Sequence, residues 1–541
     1  MSGDRWSTVR TERTVLAVVH NTTAATRLFD ILPLFAEDPR IQTVFTCPGS
    51  SAFTAGTTEF LARAGIGEVL PWAQAVRRTP DFAIAASYGG DLHEIKAPLM
   101  VVPHGMGYNK YLEHHGQQPV FGLSSPWLLH RGELVPSIIV LSHPEQLARL
   151  TDACPQAARA ALVAGDPCFD RMLASLPLRE TYRQAFGIGP RQRLVVISST
   201  WGDSSLYGKD PGLIRRLAAR LDLDRYRLAV ALHPNIAGRH SRWQVRQWLS
   251  DCERAGVLVL PSEELWAPAL VAADLTIGDH GSVSFYSAAL GTPLLLASAP
   301  EHKVDPRSPI GQLLAVAPKL DRQAEPAPQL ERALVEHERS PITRLTTSRP
   351  GQSAKALREA IYRGLDLPAP RTPAETWLLP VPTVSFPSAH AQLIDVDMTT
   401  NPPTVTRYPA DALREPQLLP ENVHLVVHTR ETNTRLLDLA DIVLHDRICD
   451  PAHWIARTLR ELPGCHLAVA RDERGWMAGD AERLLSLGEP TAPIPALAAR
   501  LLYDREPGLS RIRLGDEVHT VRLTELTPTR QAAPEPIRPA G

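Results

Sequence analysis

The chain has 541 residues, 44% hydrophobic and 21% charged, which is enough for two or three packed domains and rules out a wholly disordered chain. Its 57 Lys and Arg face 59 Asp and Glu, a formal net charge of -2, so no surface-wide positive field exists to gather nucleic acid. Six cysteines without a Cys-x-x-Cys pair argue against a zinc knuckle or a disulfide framework, and no stretch reaches the roughly 18–20 apolar residues of a membrane span; the expected location is a reducing cytoplasm, with peripheral membrane contact left open.

The apolar run 15–19 (VLAVV) precedes an Asn-Thr-Thr turn and an amphipathic helix expected over 25–35. Further short apolar runs follow at 43–46, 82–86, 98–102 and 137–141, each separated by a loop or a helix-length interval. Continuous apolar strands alternating with helices predict a parallel sheet covered on both faces, placed at 12–180. The rhythm restarts with runs at 194–198, 228–232, 257–260, 275–277 and 293–297, and a helix is expected over 354–362. The fold class is therefore α/β, with two tandem Rossmann-like doubly wound domains, the first at 12–180 and the second, with a trailing helix, at 186–364. A Pro-rich linker is expected at 365–376, and an accessory module, α/β or α+β, at 377–525. Its strands are expected at 424–428, 441–445 and 466–470, with a hairpin over 511–523. The tail 526–541 has repeated proline and little apolar content, and reads as disordered.

In doubly wound sheets, ligands sit at the carboxyl ends of the strands, so residues that follow strand ends are read for function first. Pro103, His104, Gly105, Met106, Gly107, Tyr108, Asn109 and Lys110 follow the run 98–102. A histidine there can act as a base, and the glycines let a substrate approach the backbone; the competing reading is a turn histidine bonded to the backbone. His233 and Pro234 follow the run 228–232, where the histidine can donate to a phosphate or simply turn the chain. His280, Gly281 and Ser282 stand between a strand and a helix, where first-turn N–H groups and the positive dipole end attract an anion such as a pyrophosphate. The plainer reading is a turn glycine and a capping serine, which leaves the adjacent His280 unexplained. The loop 198–205, with Thr200 and Trp201, is dense in hydroxyls and suits a phosphate, a base, or a polar turn. Asp166 and Asp170 are expected to cap the following helix.

His93 and Glu94 lack the second histidine of a metalloprotease helix, because Ala97 stands in its place. No nucleophile elbow, Walker loop or Gly-x-Gly-x-x-Gly fingerprint occurs. His114 with His115, and His424, His428 and His445, lie in separate segments and read as scattered surface and core residues rather than a metal set.

Taken in order, these segments resemble the CDP-glycerol glycerophosphotransferases that polymerise teichoic acid, within the wider GT-B class, over about 90–320. Pro103 to Met106 stands where that family has Trp-His-Gly-Thr, and Gly165 to Asp170 is similar to its Gly-x-Pro-x-x-Asp segment and to a segment of Kdo transferases. Thr200, Trp201, Gly202 and Asp203 resemble its Thr-Trp-Arg-Asp loop. Ala231, Leu232, His233 and Pro234 resemble its Arg-x-His-Pro motif, and Gly278 to Val283 its Thr-Asp-Tyr-Ser-Ser-Val segment. Gly202 and Ala231 replace two family arginines. The resemblance implies a transferase that moves a glycosyl or glycerophosphoryl group from a CDP- or UDP-linked nucleotide-diphosphate donor to a hydroxyl acceptor, without a metal or other cofactor. It implies His104 as base; His233, His280, Gly281, Ser282, Thr200 and Trp201 on the donor; and Gly105, Asn109 and Lys110 on the acceptor side. A nucleotide-sugar 2-epimerase and a non-catalytic nucleotide-binding scaffold are the alternatives.

Overall fold

The computed structural model describes residues 8–50, 56–114, 116–261, 263–411 and 422–526; His115 and residues 527–541 of the expected tail lie outside them, whereas Leu526 ends a strand. They fall into two compact units. The first gathers the described residues of Met1–Leu213, Leu228–Ser250 and Leu258–Phe386, the second those of Ile214–Arg227, Asp251–Val257 and Pro387–Gly541.

The first unit opens with β1 (Arg13–Val18), β2 (Ile41–Cys47), β3 (Val69–Pro71), β4 (Phe82–Ala85) and β5 (Leu99–Val101). A small hairpin, β6 (Leu129–His130) and β7 (Glu133–Leu134), precedes β8 (Ile138–Leu141) and β9 (Ala161–Val163). Seven of these strands form a parallel sheet in the order β3-β2-β1-β4-β5-β8-β9. The alternation of side chains explains why these strands read as unbroken apolar runs. Val15, Ala17, Phe82, Ile84 and Met100 enter one core, while Leu16, Val18, Ala83, Ala85, Leu99 and Val101 enter another. Both faces are buried, so no position has to be polar.

The first crossover is shorter than the expected 25–35 helix. Asn21 Oδ1 accepts Ala24 N–H at 2.9 Å and starts the helix Thr22–Phe29, and Pro33, which has no N–H, sits in a separate 3-10 turn, Leu32–Leu34.

A second sheet runs β12-β11-β10-β13-β14, from β10 (Arg193–Ser199), β11 (Tyr226–Leu232), β12 (Leu258–Val259), β13 (Leu275–Gly278) and β14 (Leu294–Leu296). Pairs β11–β12, β10–β13 and β13–β14 are parallel. In each sheet the strand order reverses once, between β1 and β4 and between β10 and β13, and such reversals open a crevice at the carboxyl ends.

The helix Ser353–Gly364 follows the second sheet in sequence but packs Leu357, Ile361 and Tyr362 into the first sheet's core, beside Phe82. Asp166 caps the helix Pro167–Ser175, accepting Cys168 and Phe169 N–H. Asp170 lies inside that helix and caps elsewhere, accepting Gly351 N–H at 2.7 Å and Ser353 N–H at 3.0 Å. Residues 367–389 hold no helix or strand, and Tyr182 Oη donates to Leu379 O at 2.7 Å.

The second unit is a closed barrel where a smaller layered module is expected from sequence. Its strands are β15 (Ala391–Asp397), β16 (Thr404–Pro409), β17 (Val423–His428), β18 (Ile442–Ile448), β19 (Leu467–Asp472), β20 (Gly475–Gly479), β21 (Leu484–Gly488), β22 (Gly508–Leu514) and β23 (Glu517–Leu526). They close in the order β15-β16-β22-β23-β21-β20-β19-β18-β17. All nine strands give residues to one core, which the alanine-rich helix Ile494–Arg500 also enters, so small side chains let a helix fill the interior. The outer face of β15 and β17–β19 forms a second core with Trp454 and Ile455 of the helix Pro451–Glu461. Within this unit Arg407 makes a two-pronged pair with Asp224, at 2.8 and 2.6 Å.

Candidate active site

The site is built on the loops that leave the carboxyl ends of β1, β5, β10, β11 and β13, all in the first unit. The loop after β5 reaches across to the second sheet. Met106 is fully buried in the second sheet's core, and its N–H donates to Ser282 Oγ at 3.0 Å. A Cβ on Gly105 would lie 2.5 Å from that same Oγ, so the approach requires glycine. Further along the loop, Asp305 N–H donates to Asn109 O at 2.8 Å and Tyr111 N–H to Lys303 O at 3.0 Å. Asn109 is buried; its amide donates to Met106 O and accepts Ile310 N–H at 3.4 Å, so it holds the loop in place.

Lys110, expected on the acceptor side, points instead at the second sheet, where Nζ donates to Thr200 Oγ1 at 3.1 Å. Burial lowers its pKa, and the nearby Asp279 carboxylate opposes that shift. Asp279, 1% exposed, organises the loops after β10 and β13: Oδ2 accepts Thr200 N–H at 2.8 Å and Leu206 N–H at 2.9 Å, and Oδ1 accepts Gly281 N–H at 3.0 Å. Burial raises its pKa, while those backbone donors and Lys110 pull it down. Ser284 Oγ accepts Asp279 N–H at 3.0 Å, and a Cβ on Gly278 would strike that hydroxyl. Gly281 is the N-cap of the helix Ser282–Leu290 and has no side chain to occupy the first-turn N–H groups. Ser282 receives the Met106 N–H rather than capping its own helix.

The histidines fall around Lys110. His233 Nδ1 accepts Asn235 N–H at 3.1 Å, which leaves the proton of the neutral ring on Nε2 as a donor. Burial, then Lys110 and His104, hold its pKa well below the ordinary value. His280 is 4% exposed, and its Nδ1 has no hydrogen-bond partner from the protein. Burial, then Lys110, lower its pKa to about 3. His104 is an exposed residue of the loop, and crowding by the neighbouring loops, then Lys110, lower its pKa below the ordinary value. All three imidazoles are neutral at pH 7. Trp201 is 39% exposed beside the buried Thr200.

His20, at the end of β1, belongs with this group although the sequence reading passed over it. Its Nε2 donates to Gly89 O at 2.7 Å, its Nδ1 is unpartnered, and burial lowers its pKa, so it too is neutral at pH 7. The available signal was a histidine directly after an apolar run, the same signal that singled out His104 and His233.

The two sheets are fastened beside the site by a buried network. Arg27 Nη1 pairs with Asp166 Oδ1 at 2.8 Å and Nη2 donates to Tyr286 Oη at 2.9 Å, while Tyr286 Oη donates to Asp166 Oδ2 at 2.6 Å. Among the described residues no group of His, Cys, Asp or Glu is arranged to hold a metal ion, and no helix is long and apolar enough to cross a membrane.

No protein-family model matches the chain, and no curated protein matches it. Its structure is similar to solved structures of the wall teichoic acid polymerase TagF, one at TM-score 0.45 and 12% identity over 66% of this chain and 90% of that one. It is similar also to S. aureus MnaA solved with UDP, at TM-score 0.42 and 10% identity over 66% and 99% of the two chains. The UDP-GlcNAc 2-epimerase of Neisseria meningitidis, solved with UDP-GlcNAc, matches at TM-score 0.40 and 14% identity over 65% and 99%.

Proposed function

We propose that this chain is a GT-B-like transferase that moves a glycosyl or glycerophosphoryl group from a nucleotide-diphosphate donor to a hydroxyl acceptor. The observation that carries the reading is the meeting, at the carboxyl ends of two parallel sheets, of a helix N-terminus without a side-chain cap, a half-buried ammonium and three neutral imidazoles. The donor's diphosphate lies against the first turn of the helix Ser282–Leu290, where N–H groups and the dipole favour negative charge. Lys110 and the Nε2–H of His233 meet the same oxygens. When the acceptor hydroxyl attacks, His104 takes its proton, the new bond to the transferred group forms, and the bond from that group to the nucleotide phosphate breaks. The leaving phosphate carries away the electron pair, and preorganised donors stabilise its charge. Lys110 supplies the cation that Gly202 and Ala231 do not.

Purified protein is tested by thermal shift against CDP-, UDP- and GDP-linked donors, since a ligand bound to the folded state raises its apparent stability. One nucleotide class is expected to stabilise the wild type and to lose that effect in Ser282→Ala. In the matching assay His104→Ala lowers kcat by about 10²–10⁴ and leaves the donor shift intact. Isomerised donor formed without acceptor would replace this reading by epimerisation, and the absence of any shift would remove it.

A further inference from the structure

A cavity of about 350 Å³ opens on the first unit, and none of its lining residues belongs to the active site. Its volume falls in the range of about 300–1,000 Å³ that holds small molecules. Phe29, Pro33 and Leu34, from the end of the first crossover, and Pro167 and Trp377 give it a largely apolar surface. Trp377 belongs to the segment 367–389, which has no helix or strand, yet the backbone there is tied down. Arg171 donates to Trp377 O at 3.1 Å and to Leu378 O at 3.3 Å, and Leu379 N–H donates to Ser175 Oγ at 3.0 Å. Trp377 is therefore held at a fixed place while it stays 55% exposed.

Three charged side chains, Asp30, Arg171 and Glu375, line the same cavity. Arg171 is already engaged: besides the two carbonyls it donates to Asp30 Oδ1 at 2.5 Å. The Asp30 side chain is only 9% exposed, and its other oxygen, Oδ2, receives no hydrogen bond; Arg27 Nη1, 3.9 Å away, is bound to Asp166. Burial raises the Asp30 pKa, and Arg27 and Arg171 oppose the rise. Glu375 is exposed and has no ion pair or hydrogen bond among the described residues. Two carboxyl groups thus face one guanidinium, so the cavity is short of one positive charge and of an N–H donor for a nearly buried oxygen.

These groups select among ligands. An anion would meet two carboxyl groups, and a hydrocarbon would leave Asp30 Oδ2 without a donor. A primary ammonium on an aromatic body answers each group, with N–H donors for the carboxylates and a cation and a ring for the indole. We infer that this cavity is a binding site for a small primary amine with an aromatic body, its ammonium toward Asp30 and Glu375 and its ring against Phe29 and Trp377. The site needs no transferase activity and stands apart from it.

The purified full chain is titrated calorimetrically with phenethylamine, and with phenethyl alcohol and phenylpropanoate, which keep the ring but replace the ammonium by a hydroxyl or a carboxylate. The amine is expected to bind, and the alcohol and the acid at least about tenfold more weakly. Glu375→Gln and Trp377→Ala, both at exposed positions, are each expected to weaken the amine at least about threefold at an unchanged melting temperature. Failure of the amine to bind, binding of the alcohol or the acid as tight as that of the amine, or undiminished binding in either variant would overturn the inference.

Discussion

Loss of hydration first, and then the nearby ammonium of Lys110, make all three imidazoles hold their protons less tightly. Lys110→Met keeps the stem but removes the charge, so donor affinity is expected to fall about tenfold or more, read as a raised Kd in titration calorimetry, with Lys110→Arg recovering part of it. The depressed histidines also fix a pH dependence. Unfolded, each titrates near 6.5; folded, His233 titrates lower and the buried His280 at about 3. Between those values the unfolded chain binds more protons, so their contribution to stability is complete above about pH 6.5 and is lost as pH falls toward the folded values. Melting temperatures recorded from about pH 7 down to about pH 4 should decline, and His280→Gln should decline less steeply. Matching slopes would assign the acid sensitivity to other groups.

At the scale of elements, the contact that joins the two sheets' loops is very close. Gly105→Ala would drive a Cβ into Ser282 Oγ and is expected to cost about 1–3 kcal/mol, while Ser282→Gly alone loses only one hydrogen bond. The double variant should recover most of the Gly105→Ala loss, because the clashing atoms are gone. Urea unfolding of the four proteins measures that coupling, and strict additivity would show that the loop relaxes elsewhere. Legibility also divides by element. Most strands of the two sheets stand out as apolar runs because they are covered on both faces, whereas β3 and β9, at the edges of the first sheet, are short and only partly covered and do not stand out. In the barrel, β17, β18 and β19 show the same signature, but β15 and β16 alternate buried and half-exposed residues and were not recognised as strands. With four of the barrel's nine strands, β15, β16, β20 and β21, silent, closure has no local signature.

For the first unit as a whole, Arg27, Asp166 and Tyr286 come from three distant parts of the chain and satisfy one another in a site that excludes water. Removing one partner strands a buried charge, so Arg27→Met is expected to lower stability by about 3–5 kcal/mol, against about 1 kcal/mol for Tyr286→Phe. Chemical denaturation followed by tryptophan fluorescence measures both, and a small Arg27 effect would mean that water reaches Asp166.

By itself the sequence determined the alternation of strand and helix, the two parallel sheets, and the histidines and glycines at strand ends, because these are local patterns that burial and turn geometry impose on neighbouring residues. The tertiary structure alone decided that Lys110 faces Thr200, that Asp279 gathers the loops after β10 and β13, that Asn109 serves its own loop, that His20 joins the group and that the last module closes into a barrel. Each of these depends on partners tens to hundreds of residues apart, and a hydrogen bond or a strand pairing over that distance leaves no periodic trace along the chain.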